Sequence, residues 1–317
     1  MTPSLVQVGA ALALAALASA VQAAPAYALA SNNGTLVRFD TATPGTVTSV
    51  GALSGATTAL DGLDFRPADG MLYGYNAATS GVYRVDPNTG VTTLFSTSSA
   101  AVSTSALGID FNPVADRLRV VTANDENRRI NIANGVALSD GPLAYAAGDA
   151  NAGVNPNVVE AAYTNNDNNP ATGTTLFYID DVLNILVRTA NPNAGLLNTV
   201  GALGVDTDEF LGFDIFTDLG GLNQAFASLQ VGGVQGLYSI NLGTGAATLL
   251  GAIGMNRLHG LAVAPALVPV PVPEPGSLAL VAVAGLAFMT LRRRRGAMAQ
   301  PDALLDTAGA ARPGIRR

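Results

Sequence analysis

The sequence predicts an all-β fold: a five-bladed β-propeller closed by pairing of its N- and C-terminal strands, followed by a single C-terminal transmembrane helix. Three observations predict it. A Gly-apolar-Asp-apolar unit recurs as Gly62-Leu63-Asp64-Phe65, Gly108-Ile109-Asp110-Phe111 and Gly212-Phe213-Asp214-Ile215, with a weaker copy at Gly260-Leu261-Ala262-Val263. Glu160-Ala161-Ala162-Tyr163 fills the remaining slot, so the spacings are 46, 52, 52 and 48 residues, a period that marks propellers or solenoids. Helical periodicity is nearly absent, and turn residues cut each unit into four short segments.

The unit from Gly62 shows the pattern most clearly. Strand "GLDFR" meets a turn at Pro67-Ala68-Asp69-Gly70, a second strand ends near Ser80-Gly81, and "VYRVD" turns at Pro87-Asn88-Thr89-Gly90 into "VTTLF". Four strands make one blade. "LVRFDTATPGTVTSVGAL" and "LYSINLGTGAATLLGAIG" repeat the last hairpin in the first and last copies. The chain starts with "YALASNNGTLVRFD", which lacks the leading strand, whereas "LHGLAVAP" is a leading strand with nothing after it. Joining them completes the fifth blade and removes a free sheet edge. A six-bladed ring and a β-sandwich are the competing architectures.

Domain organisation follows from the two ends of the 317-residue chain. Residues 1–23 carry an apolar stretch from Gly9 to Leu17 and an Ala-rich cleavage region ending Val21-Gln22-Ala23, which reads as a secretory signal peptide lacking the usual basic start. The run is too short for an ordinary membrane span. Residues 24–265 form the propeller. Residues 266–275 are a Pro-rich linker, residues 276–295 an apolar segment with an arginine cluster, and residues 296–317 a disordered tail. The 15 uncharged residues from Ser277 to Leu291 cover about 22 Å as a helix. That falls short of a hydrocarbon core of about 30 Å. Arg292, Arg293, Arg294 and Arg295 would stay on the cytoplasmic side.

The Pro273-Glu274-Pro275 triplet, the short span and the arginine cluster resemble the PEP-CTERM sorting signal of exopolysaccharide-producing bacteria. The resemblance implies an exosortase as processing partner, transient residence in the inner membrane, and delivery to the cell surface or extracellular matrix. The tail after the arginines departs from that pattern. "LGIDFNPVADRLRVV", "YAAGDANAGVNPNVVEAAYTNN" and "LYSINLGTGAATLLG" resemble a bacterial family of exported proteins known as a domain of unknown function. That second resemblance implies secretion and the domain boundary, and brings no activity with it.

Composition narrows the chemistry. There is no cysteine and no lysine, which removes disulfides, thiolate nucleophiles and Schiff-base chemistry. Between Ala24 and Pro271, 9 arginines face 20 acidic residues, a net charge of −11. Such a surface repels phosphate backbones, so nucleic acid is excluded as a partner and cations or neutral glycans are favoured. The same charge also serves simple solubility.

Three groups of residues are candidates for function. Asp149, Asn151, Asn155 and Glu160 in "DANAGVNPNVVE" approximate a calcium loop, with Gly153 misplaced and Pro156 interrupting it, and an Asx-rich connecting loop is the alternative. Asp64, Asp110 and Asp214 occupy equivalent positions in three repeats. They are expected to converge on a central channel, with Glu160, either as a cation-holding ring or as a repeated structural fixture. His259, the sole histidine, lies on the strand expected to line that channel. Arg128-Arg129 reads as a solvated pair.

The function these observations favour is an exported, non-enzymatic binding or structural propeller, with exopolysaccharide as a candidate ligand. The alternative is a secreted lyase, lactonase or glycosidase with an acidic or Ca²⁺-bearing channel. The sorting signal is checked by intact mass: the exported protein should lack everything beyond about Pro275, and retention of Arg292 to Arg295 would refute processing.

Overall fold

In the computed structural model, residues 23–30, 33–104 and 106–266 are described. Most of the signal peptide, the PEP triplet at Pro273, Glu274 and Pro275, the transmembrane segment, Arg292 to Arg295 and the tail lie outside the described residues. Among the described residues no helix is long and apolar enough to cross a membrane.

Alternating apolar residues between turn signals give strands throughout. The first blade's chain-continuous strands are β1 (Pro25–Ala30), β2 (Thr35–Asp40) and β3 (Thr43–Ala52). The second blade contains β4 (Ser54–Gly55), β5 (Gly62–Arg66), β6 (Met71–Asn76), β7 (Gly81–Val85) and β8 (Val91–Thr97). The third contains β9 (Leu107–Asn112), β10 (Arg117–Thr122), β11 (Asn127–Asn131) and β12 (Val136–Ser139). The fourth contains β13 (Ala144–Tyr145), β14 (Val158–Tyr163), β15 (Leu176–Asp180), β16 (Ile185–Thr189) and β17 (Leu196–Ala202). The fifth contains β18 (Thr207–Thr217), β19 (Asn223–Val231), β20 (Val234–Ile240) and β21 (Ala247–Ala252), and β22 (His259–Val263) follows it.

These strands form five sheets whose main strands are antiparallel, and β22 pairs with β1 as the innermost strand of the first blade. The predicted five-bladed ring with terminal closure is therefore the observed fold. Two short strands were not anticipated: β4 and β13 come from the connections between blades and pair in parallel with the outermost strands β8 and β17. Both cover sheet edges that would otherwise stay open.

Burial falls from the axis outward, as in the second blade: β5 and β6 are almost wholly buried, β7 exposes Arg84, and β8 is mostly exposed. Apolar clusters fill the wedges between adjacent blades. One joins Ala28 and Phe39 of the first blade to Phe216 and Phe226 of the fifth, and another joins Tyr73 and Tyr75 of the second to Phe111 and Val120 of the third. A charged clasp adds to the second wedge, where Arg66 at the end of β5 binds Asp116 of the β9–β10 turn through Nε at 2.7 Å and Nη2 at 2.5 Å.

The glycine of the repeat has a steric reason. A Cβ on Gly108 would lie 2.4 Å from Glu160 Cα, and one on Gly212 would lie 2.3 Å from the Gly260 carbonyl carbon. Inner strands of neighbouring blades thus approach backbone to backbone. Gly108→Ala and Gly212→Ala are each expected to lower stability by at least about 2 kcal/mol in urea denaturation, because backbone must move to admit the methyl group. Gly148→Ala, with open space around it, should change stability by less than about 0.5 kcal/mol.

Candidate functional site

The innermost strands β5, β9, β14, β18 and β22 each turn one edge away from their own sheet, and the N–H groups on that edge need partners. The Asp position of the repeat supplies them. Asp64 Oδ2 accepts the Phe111 N–H of the next blade at 2.7 Å, and Asp214 Oδ2 accepts the Val263 N–H at 2.6 Å. Asp110 takes the Tyr163 N–H. Ala162 and Ala262 stand in the two remaining Asp positions, so the N–H groups they would serve turn to the aspartate preceding them. Ile215 N–H donates to Asp214 Oδ1 at 2.6 Å, and Phe65 N–H to Asp64. Three carboxylates thereby take the equivalent N–H in all five inner strands.

This arrangement brings Asp64, Asp110 and Asp214 together, with one oxygen from each within 4.8 Å of the others. All three are buried, as is Glu160. Burial raises the Asp64 and Asp110 carboxyls well above the ordinary range. The charge of Asp214 adds to this at Asp64, and those of Asp64, Asp214 and Glu160 add to it at Asp110. Burial also raises Asp214, but only to about 6, because its two backbone donors favour the charged form. Glu160 is raised well above its usual value by burial and by Asp214, against the N–H groups of Phe213 and Gly260. Oδ1 of Asp64 and Oδ1 of Asp110 are buried without a hydrogen-bond partner. Such oxygens suit a shared proton or a hard cation.

His259 does not join the trio. It sits where the inner strands begin, in a 600 Å³ cavity at that mouth of the channel. The residue before the repeat's leading position lines this cavity in every blade: Asp61, Leu107, Val159, Leu211 and His259. Three are apolar, whereas the adjacent first and second blades contribute a histidine and an aspartate. Glu160 reaches the cavity because it occupies a position that is glycine in the other repeats. Asn33, Asn157, Asp181, Glu209 and Arg257 complete the polar lining, with the Phe210 ring among them. The Arg257 guanidinium lies 4.3 Å from the Phe210 ring centroid, and the His259 ring meets Phe210 edge-on at 5.0 Å. Burial pushes His259 below its ordinary value, with Glu209 opposing, so the imidazole is neutral at pH 7. Arg257 and Asn33 hold φ of 60° and 63°, a conformation that side chains other than glycine seldom adopt.

The structure does not bring together Asp149, Asn151, Asn155 and Glu160 of the expected calcium loop. Asp149 accepts the Thr199 N–H at 2.6 Å, the Thr199 hydroxyl at 2.7 Å and the Asn151 N–H at 2.9 Å, fastening the loop to β17. The Asn151 amide also donates to Thr199, and the Asn155 amide to its neighbour Pro156. Glu160 lies on β14, at the opposite edge of that blade's four main strands. At about 4.8 Å per strand, β17 and β14 are roughly 14 Å apart, too far for one ion to span. The segment is an Asx-rich connection.

Sequence reasoning missed Asp61, Asn33, Asp181, Glu209, Phe210 and Arg257. A signal for Asp61 was present, since it precedes Gly62 as His259 precedes Gly260. The others come from turns whose convergence no spacing reveals.

Fold and cavity define a class: a propeller with a clamped channel and a polar, asymmetric mouth. The chain belongs to the family described as "Domain of unknown function (DUF4394)", whose model matches residues 35–262. Residues 271–295 match the PEP-CTERM protein-sorting motif, which implies export, membrane-associated sorting and processing by an exosortase. No curated protein matches the sequence. Among solved structures, it is similar to a chain of a nidogen/laminin complex, at 10% identity and TM-score 0.43 over 77% of this chain and 98% of that one. A protein of unknown function from Bacteroides thetaiotaomicron aligns at 13% identity and TM-score 0.44, over 76% of this chain and 67% of that one. An auxiliary nutrient binding protein from the same organism aligns at 13% identity and TM-score 0.39, over 63% and 51%. Likenesses this distant say nothing about ligand or activity.

The raised carboxyls carry a signed pH dependence. A carboxyl with a higher pKa folded than unfolded contributes its full stability below the unfolded value, and loses it as pH rises through the folded value. For Asp214 that window runs from about 4 to about 6, and Asp64, Asp110 and Glu160, raised by the same burial, act in the same direction. Tm is expected to be higher at pH 5.5 than at pH 8, and Asp214→Asn should reduce that difference. A Tm that rises from pH 5.5 to 8 would contradict the assignment.

Proposed function

We propose that the protein is an exported, non-enzymatic binding propeller whose ligand seat is the mouth cavity formed by all five blades. The observation that carries this reading is the broken symmetry of that mouth, where Asp61, Glu160 and His259 replace the apolar or glycine residues found at matching positions in other blades. Hydrogen-bond acceptors dominate the lining, so the ligand that fits it is rich in hydroxyl or amino donors and neutral or cationic. A sugar unit of extracellular polysaccharide meets that description. Exposed Glu209 and Arg257 and half-buried Phe210 and His259 give it a polar rim and a ring edge to lie against. The N-terminal segment acts as a signal peptide, and the C-terminal motif delivers the propeller to the cell surface or matrix after exosortase processing.

A second reading is favoured by the orphaned Oδ1 atoms of Asp64 and Asp110: a cation, Ca²⁺ among them, held in the channel, as a propeller-type lyase, lactonase or glycosidase would use. The trio offers carboxylate oxygens of the right hardness, while backbone N–H groups occupy part of their capacity. Millimolar Ca²⁺ should raise Tm under this reading, and an unchanged melt would remove it.

The binding reading is tested on a glycan array followed by calorimetry with the purified protein. Asp61→Asn and Arg257→Ala should each weaken the best ligand about tenfold or more, a loss of about 1.4 kcal/mol or more, with Tm within a few degrees of wild type. Unaltered affinity in both variants would move the ligand away from the mouth.

A further inference from the structure

At the other end of the ring, where β9 ends and β10 begins, a 150 Å³ cleft opens between the third and fourth blades. Its polar lining is Asn112, Arg117, Arg119, Arg129, Tyr163 and Asn193. Three of the nine arginines between Ala24 and Pro271 thus meet in one small cleft of a domain whose net charge is −11.

Arg119 is 2% exposed and held on every side. Its Nη1 donates to Asp140 Oδ2 at 2.6 Å and Asn127 Oδ1 at 2.7 Å, its Nη2 to Asn193 Oδ1 at 3.0 Å, and its Nε to the Tyr163 hydroxyl at 3.3 Å. Arg129, expected from the sequence to be solvated, instead binds the same Asp140 through Nε at 2.7 Å and Nη2 at 2.8 Å. One buried carboxylate therefore serves two guanidinium groups. Arg117 adds a third cation, fixed by Nη1 to the carbonyls of Asp116 at 2.8 Å and Ala115 at 3.1 Å. Asp110 lies opposite Arg119 in the strand register, but its carboxylate serves the channel trio and burial favours its neutral form. Asp116 is engaged by Arg66. The cleft keeps a surplus of positive charge: Arg119 and Arg129 share one carboxylate, and half-buried Arg117 is held by carbonyls alone.

We propose that this cleft binds a single oxyanion group, the carboxylate or sulfate of an acidic polysaccharide or the equivalent free anion. Planar guanidinium forks suit such groups. The volume admits one charged group and not a whole sugar, so the remainder of a polymer would lie along the surface. This site is independent of the mouth cavity and makes the opposite face a second contact with the matrix.

The test melts the purified protein at one fixed ionic strength in chloride, sulfate, phosphate, glucuronate and an oligouronate. At tenfold excess over Kd, a bound oxyanion should raise Tm by about 3–5 °C over chloride. Arg117→Gln, at the accessible rim, should remove most of that increment while melting normally in chloride, and Asn193→Ala, which also takes an acceptor from Arg119, should remove it from a lowered chloride baseline. Oligouronate binding at least tenfold tighter than glucuronate supports the site with a polymer as its source, and equal affinities support it with a free anion. Identical melts in all anions, or an undiminished increment in both variants, would overturn the proposal.

Discussion

The capture of inward-facing backbone N–H groups by three buried carboxylates is the interaction on which the rest of the ring depends. A propeller packs its inner strands edge-on around an axis, and those edges have no further strand to pair with. An unpaired buried N–H costs about 1–3 kcal/mol. Five of them at one level would threaten a domain whose net stability is only about 5–15 kcal/mol. Asp64 and Asp214 each reach across to the next blade and also cap their own strand, which lets Ala162 and Ala262 stand where the repeat otherwise has aspartate. The clamp also ties the fifth blade to the first through Val263, so ring closure and N–H satisfaction are one event.

The same clamp sets the electrostatics. Placing three buried carboxyls within 4.8 Å of one another makes their full ionisation unfavourable, and their pKa values rise accordingly. Groups with raised pKa in a cleft usually suggest catalysis. Here the hydrogen bonds account for most of their oxygens, leaving the two Oδ1 atoms of Asp64 and Asp110 as what structure alone does not use. Blade symmetry is broken one step outward, at the mouth, where the proposed ligand seat lies.

Charge is divided between the two ends of the ring. The mouth gathers Asp61, Glu160, Asp181 and Glu209 around one arginine, whereas the cleft at the opposite end holds three arginines, two of them sharing one aspartate. A net charge of −11 therefore describes neither end. Such polarity suits the two proposed sites to different ligands, donor-rich groups at the mouth and anionic groups at the cleft.

Much of the fold was legible in the sequence because a repeat displays its constraints several times. The Gly-apolar-Asp-apolar unit, its spacing and the complementary termini determined the number of blades, their closure and the convergence of Asp64, Asp110 and Asp214. The sorting motif is equally a matter of local order, readable without a fold. What the repeat could not show was anything that departs from it. Glu160 looked like the end of a calcium loop because it follows Asp149 at the right distance along the chain, yet three strand spacings separate them across the blade. His259 proved to belong with Asp61, Phe210 and Arg257, and Arg129 with Arg117, Arg119 and Asp140, pairings that join turns and strands far apart in sequence. Only the tertiary structure decided these, because side chains meet by the closing of a ring and a period along the chain carries no record of which turns face each other across it.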